Sequence, residues 1–313
     1  MTQPSTTLLT EGRRRPSIPG RVKRPRGSMR RRERVVGLFF VLPVFILFAV
    51  FRFGPALAGL ALSFFEYSPG VTPNWAALEN FRRLMADEVF WAALKVTALF
   101  TVLSVPLTLA VSTATALAVR WRFRGSGFFR SVFFLPVITS LVVAGVIFSW
   151  VFSANGPIPE LLKSIGLSGE SWLNSSVLVI PALVIVSVWS RFGYGMLIVL
   201  ARLQDLSRDL EEAAFTDGAN AWQRFRYIVR PQLKPALFFL AVIETTASFQ
   251  VFDLVYVMTS GGPARASYTL ILDLYDQGFR YFDLGYASAI GVALFIMTLV
   301  VAAIQRFTLG RED

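Results

Sequence analysis

No cysteine and no histidine occur anywhere in the sequence. The first absence excludes disulfides, thiolate zinc sites, iron–sulfur clusters and cysteine nucleophiles. The second removes the Ser-His-Asp triad, imidazole metal ligands and the commonest general base. Charge is scarce too: 16% of residues are Asp, Glu, Lys or Arg, against about 25% in an average globular domain. Apolar residues fill the chain instead, at 54% with a mean hydropathy of +0.56. A water-soluble chain of this composition would lack the polar surface to coat itself, so the composition points to an integral membrane protein.

The charge is unevenly placed. Residues 1–34 hold eleven basic groups, from Arg13 to Arg34, against Glu11 and Glu33, so most of the formal net charge of +11 sits in this tail. A basic arm can bind nucleic acid. Directly before an apolar run, it reads more simply as a cytoplasmic tail under the positive-inside rule, close to membrane lipid. No nucleic-acid partner is expected. Pro, Ser, Thr and Gly interleave the basic residues without apolar periodicity, so 1–34 reads as disordered.

Six apolar stretches reach the roughly 20 residues that a helix needs to cross a bilayer. They lie at 35–60, 91–119, 128–152, 177–201, 236–258 and 284–305. With a cytoplasmic N-terminus, the inside segments 1–34, 120–130, 202–235 and 306–313 carry 23 basic residues, and the outside segments 61–90, 153–176 and 259–283 carry 5. That asymmetry places both termini in the cytoplasm. Ala56-x-Ala58 after the first run resembles a signal-peptide cleavage site, but the basic region and the apolar run both exceed the usual lengths. The expected fold is therefore an all-α membrane protein of six transmembrane helices. Residues 35–306 form the membrane domain, and 307–313 are a short cytoplasmic tail.

One inside segment is long and patterned. In 202–235, Ser207 can cap a helix whose first turn carries Asp209, Glu211 and Glu212, as the helix dipole favours. Gly218 suits a C-terminal cap. A second amphipathic piece follows with Trp222, Phe225, Ile228 and Val229, and Pro231 and Pro235 break it before the fifth span. The small residues Ala213, Ala214, Gly218 and Ala219 leave the first helix slim enough to enter a groove on another protein. A solvated connector is the competing reading.

The string Glu212-Ala213-Ala214-x-x-Asp217-Gly218-Ala219, followed by Phe225, Ile228, Pro231 and Pro235, resembles the EAA loop of ABC-importer permeases. It is closest to the carbohydrate-uptake pattern EAAxxDGAxxxxxFxxIxLPxxxP. Arg230 stands where that family usually has leucine. Phe252-Asp253-Leu254-Val255-Tyr256-Val257-Met258-Thr259-Ser260-Gly261-Gly262-Pro263 is similar to the FDxIYVLTxGGP segment of the maltose-F-like, A-type member of the permease pair. Phe129-Arg130, Phe134-Leu135-Pro136 and Gly285-x-Ala287-Ser288-Ala289 extend the likeness over roughly 35–305.

The resemblance implies a type I ABC importer permease fold in the bacterial cytoplasmic membrane. Glu212, Ala213, Ala214, Asp217, Gly218 and Ala219 would form a coupling helix seated in a separate ATPase. Closure of the ATPase dimer would rock the spans between inward- and outward-open states. It further implies a B-type permease partner and an extracytoplasmic solute-binding protein. The cargo would be a sugar, a related polyol or a glycerol phosphate. The chain has no G-x-x-x-x-G-K-[ST] phosphate loop. ATP and Mg would therefore belong to the ATPase, with no cofactor on this chain and no catalysis by it.

Ionisable groups inside spans mark candidate function. Arg191 and Glu244 fall at similar depth, roughly 12–15 Å from the cytoplasmic side at 1.5 Å per residue, and could pair. With Ser248, Gln250 and Asp253 they are the candidate substrate-pathway residues. A structural interhelix ion pair is the plainer reading of the first two. The aromatic residues Phe249, Phe252, Tyr256 and Trp189 could stack on a sugar or simply pack. Two rival functions remain open at this level. A stand-alone secondary transporter would call for internal repeats and relay residues, and a membrane enzyme would call for carboxylate clusters or metal ligands at a membrane face.

Overall fold

In lipid every backbone N–H and C=O must find its partner within the segment, so unbroken apolar runs become long helices. A computed structural model describes residues 28–120 and 125–309, and the chain divides after Ala56 into two compact units. The first holds α1 (Ser28–Phe48), with Pro43 inside it, and the π turn Ala49–Phe53. The wide turn accommodates Pro55 just beyond it, whose ring would otherwise meet the carbonyl four residues back. Residues 28–34, read from the sequence as part of a disordered tail, are helical. Arg and Glu are good helix formers and extend a helix that the apolar run has already nucleated. The rest of that tail, 1–27, and residues 310–313 lie outside the described residues.

The chain then runs through α2 (Gly54–Leu62) and a hairpin of β1 (Phe65–Glu66) and β2 (Asn74–Trp75), with Phe65 opposite Trp75. Next come α3 (Glu79–Ala86) and α4 (Glu88–Ala118), the latter started by Asp87, whose carboxylate accepts the Val89 N–H at 2.8 Å. They are followed by α5 (Ser126–Ile138), α6 (Leu141–Val151), α7 (Pro157–Ser164) and α8 (Val179–Gln204). The remaining helices are α9 (Arg208–Thr216), α10 (Ala221–Arg224), α11 (Arg230–Phe249), α12 (Asp253–Met258), α13 (Leu270–Tyr275) and α14 (Leu284–Leu309). Helix α14 thus takes in 307–309 of the expected C-terminal tail.

Helices α4 and α8 form the centre of the second unit, with α5 on α8, α11 on α4 and α14, and α12 on α6. The buried stripe of α4 is small and hydroxylic: Thr97, Thr101, Ser104, Thr108 and Ser112. Such residues let membrane helices approach closely, and their hydroxyls are satisfied. Thr97, Thr101 and Thr108 each donate to the carbonyl four residues back at 2.8 Å. Ser112 donates across to the Phe192 carbonyl at 3.0 Å. On α8 the approach is tighter still, because a Cβ on Gly193 would lie 2.2 Å from the Phe133 carbonyl oxygen and one on Gly195 2.3 Å from Ser112 Oγ.

Among the described residues four helical stretches are long and apolar enough to cross a membrane: Val35–Leu62, Glu88–Ala118, Val179–Gln204 and Leu284–Thr308. The other two expected spans are not continuous. The stretch 128–152 is bent by 94° between α5 and α6. The Thr139 N–H turns back to the Pro136 carbonyl at 3.2 Å, tightening the last turn, and Thr139 itself takes extended backbone, while Pro136 supplies no N–H of its own. The stretch 236–258 breaks at 250–252 between α11 and α12, where the Thr269 hydroxyl binds the Val251 carbonyl at 3.3 Å. Pro231 and Pro235 do not break the chain before this stretch. Pro231 sits in the first turn of α11, Pro235 lies within it, and the π turn Phe225–Val229 joins α11 to α10.

Candidate functional site

The break at 250–252 opens a cavity of about 240 Å³. Ser187, Ser190 and Arg191 line it from α8, and Ser248, Gln250 and Asp253 from the two broken ends. A second cavity of about 240 Å³ adjoins it through Ser190 and Arg191 and contains Glu244, Thr139 and Tyr194. All five residues expected in the pathway therefore gather at one place. Ser187 and Ser190 were not singled out, although Ser187 and Arg191 stand four apart and so share a helix face.

Arg191 and Glu244 form the ion pair that their depths suggested. Nε donates to Oε2 at 2.6 Å and Nη2 to Oε1 at 3.3 Å. The two-pronged geometry satisfies the carboxylate. Its side chain is 2% exposed, whereas that of Arg191 is 35% exposed towards the cavities. Ser248 is buried and shares a 3.0 Å hydrogen bond with Ser104 of α4. Gln250 and Asp253 are exposed at the break. The lining offers hydroxyls, an amide, a carboxylate and the partly exposed Arg191 guanidinium, groups that bind a hydroxylated solute by hydrogen bonds.

Of the four candidate stacking aromatics, Phe252 lines the cavity. It also packs against Tyr256 at 5.2 Å and Tyr275 at 5.0 Å between ring centroids. Phe249 is buried beside Leu270 and Tyr286, and Trp189 meets Phe148 edge-on at 5.0 Å. Those two rings are packing residues.

The loop 202–235 is built by local rules. Ser207 occupies the N-cap of α9 with extended backbone, though its side chain makes no cap bond, so the first turn rests on Asp209 and Glu211. At the other end Gly218 takes φ +84°. The Ala219 N–H bonds the Ala214 carbonyl at 2.9 Å and the Gly218 N–H bonds the Phe215 carbonyl at 3.0 Å. This is a Schellman closure. A capping box follows at once: the Gln223 N–H donates to Asn220 Oδ1 at 2.9 Å and the Asn220 N–H to Gln223 Oε1 at 2.8 Å. Its N-x-x-Q spacing was legible in the sequence but not used. The turn presents Glu212, Ala213, Asp217 and Gly218 to the exterior, with Ala214 and Ala219 half-buried. Leu210 and Phe215 stand exposed beside them. Sequence reasoning missed the contact between Arg120 and Glu211, 91 positions apart.

Outside the spans one buried carboxyl stands out. Asp273 of α13 is fully buried, and its carboxyl is pushed up to about 6. Burial is the main cause and the charge of Asp87 adds to it, while hydrogen bonds from Gln277 and Tyr268 pull the other way. Tyr268 is itself raised by burial and by the neighbouring Asp273 and Asp276.

Residues 107–308 match the family described as the binding-protein-dependent transport system inner membrane component. The lactose transport system permease protein LacF of Rhizobium radiobacter is 35% identical over 293 residues, covering 92% of this chain and 98% of the relative. The sn-glycerol-3-phosphate transport system permease protein UgpA of Agrobacterium fabrum is 33% identical over 278 residues, covering 87% and 94%. In structure the chain is similar to a chain of a bacterial ABC transporter involved in import of the acidic polysaccharide alginate. The TM-score is 0.78 at 22% identity, over 90% of this chain and 98% of that one. The fold is that of an ABC importer permease.

Proposed function

The chain belongs to the family of binding-protein-dependent transport system inner membrane components, and from that premise we propose that it is the A-type permease of an ATP-driven importer for a sugar, a related polyol or a glycerol phosphate. The observation that carries the reading is the loop 202–235. A short helix closed by the Gly218 turn and backed by a capping box presents Glu212, Ala213 and Asp217 outward. Rigid, slim and exposed, it is suited to a cleft on an ATPase dimer, which would bind ATP and Mg. The permease itself is not catalytic. A B-type permease and a solute-binding protein complete the assembly.

In this reading the chain crosses the membrane six times with both termini cytoplasmic. The bent pair α5–α6 serves as the third crossing, and α11 with α12 as the fifth. The bias of basic residues towards the inside segments supports that orientation. The solute passes the cavity at the α11–α12 break, past Arg191, Glu244, Ser248, Gln250 and Asp253. Broken spans with polar linings at mid-membrane depth are how other transporter folds build solute sites.

The test is to tag the chain, extract it gently from its native membrane and identify what copurifies by mass spectrometry. Recovery of an ATPase, a second permease and a solute-binding protein is the expected result. A chain that emerges alone through repeated mild extractions would overturn the reading in favour of a stand-alone transporter.

A further inference from the structure

Helix α9 is attached to the rest of the molecule in an unusual way. Among its described side chains the one that is buried is a carboxylate, Glu211, at 9% exposure, while Leu210 and Phe215 face outward at 53% and 66%. An amphipathic helix ordinarily docks through an apolar stripe. Here the inward anchor is an ion pair: Arg120 Nη1 donates to Glu211 Oε2 at 3.1 Å, and Nη2 contacts Oε1. Both side chains are only 11% exposed. Two parallel N–H···O bonds fix orientation as well as distance, and removing either partner leaves a buried charge uncompensated.

The place of Arg120 gives this pair its meaning. It follows the last turn of α4, where Arg130 of α5 also binds the Val119 carbonyl at 2.9 Å. Some 24 Å back along α4, at 1.5 Å per residue, Ser104 holds Ser248 at the edge of the broken span and its cavity. The α4 segment therefore meets α9 just past its C-terminal end and the cavity wall near its middle. The backbone joins α9 to α8 through 205–207 and to α10 through the Gly218 turn. Two junctions leave a short helix free to swivel about the line between them. Arg224 of α10 lies over the Phe215 ring at 5.2 Å beside the second junction, and the Arg120–Glu211 pair adds an off-axis point on the α4 side.

Resting on the importer reading above, we propose that Arg120 and Glu211 are positioning residues. They brace α9 against the end of α4, so that a displacement of the coupling helix moves α4 and is felt at the Ser104–Ser248 contact. An apolar contact would let α9 slide in its seat. A two-pronged ion pair transmits tilt.

The test uses the assembled complex and the absence of native cysteine. Gln250→Cys places the chain's only thiol in the cavity lining. Its maleimide labelling rate is compared without nucleotide and after trapping with Mg, ATP and vanadate. Coupling between distant sites is typically about 5- to 150-fold, so trapping should change the rate by at least about fivefold. Arg120→Ala should shrink that change below about twofold, with the ATPase still bound and nucleotide still trapped. The charge swap, Arg120→Glu with Glu211→Arg, should restore at least half of it.

An undiminished change in Arg120→Ala would overturn the brace and leave the importer reading standing. So would a swap that assembles without recovery, or a parent complex that traps nucleotide without any change at Gln250→Cys. If Arg120→Ala does not assemble, Glu211→Gln and the swap decide. A responsive swap with an unresponsive Glu211→Gln supports the brace, and a fully responsive Glu211→Gln, or a swap that also fails to assemble, overturns it. Failure of the parent to carry an ATPase at all would instead overturn the importer reading, and the brace with it.

Discussion

Replacing Arg191 with alanine should cost the protein stability before it costs any chemistry. The substitution leaves Glu244, whose side chain is 2% exposed, as a buried carboxylate that has lost donors at 2.6 and 3.3 Å. Breaking a buried pair from one side costs about 3–5 kcal/mol. Because Arg191 is 35% exposed towards the cavities, water can replace part of the lost interaction, and the lower end, about 3 kcal/mol, is the appropriate figure. At about 1.4 kcal/mol per tenfold, this lowers the folded-to-unfolded ratio by roughly two orders of magnitude. Adding Glu244→Ala removes the stranded charge, and contacting pairs in such cycles show coupling of about 0.5–3 kcal/mol. The double variant should therefore recover by that much. The assay is the amount of extracted, monodisperse complex together with its heat-inactivation midpoint, read for both single variants and the double. Additive losses would refute the reasoning. A normal amount of inactive Arg191→Ala complex would show that Arg191 acts on the solute and is not needed for stability.

Three further outcomes follow from local geometry. Gly193→Ala should lower the yield of folded chain, because its Cβ would sit 2.2 Å from the Phe133 carbonyl oxygen, and such overpacking costs about 1–3 kcal/mol; an unchanged melting midpoint would contradict the tight α5–α8 approach. Gly218→Ala meets open space, so only its φ of +84° opposes the change. It should cost about 1–2 kcal/mol and open the loop to limited proteolysis, whereas Gly218→Asn, which tolerates that conformation better, should protect it more; equal cleavage of the two would refute this. Asp273 has its folded pKa raised from 3.8 to about 6, so the folded state binds the proton more tightly than the unfolded one. Its contribution is fully present below the unfolded pKa, is lost as pH rises through about 6, and amounts to at most about 3 kcal/mol. Asp273→Asn should therefore gain in midpoint over the parent at about pH 7.5 but not at about pH 4; a difference independent of pH would refute the raised pKa.

The membrane class, the four uninterrupted spans and the Gly218 turn were determined by the sequence alone, because each rests on interactions within a few residues. Burial of an apolar run in lipid is additive along the helix, and a positive φ is a demand on a single residue. The depth of Arg191 and Glu244 could be counted from the span ends. Their meeting depended on how α8 and α11 are rotated against each other. The break at 250–252 has no proline or glycine to announce it. It is held by Thr269 on the Val251 carbonyl and lies beside the Ser104–Ser248 contact, 144 positions apart in the chain. Arg120 and Glu211 read separately as a loop cation and a first-turn acid until folding brought them together. Local sequence sets which segments are helical and where they must sit in the bilayer. Where a helix stops without a breaker, and which buried charge answers which, is decided by partners that only the tertiary structure supplies.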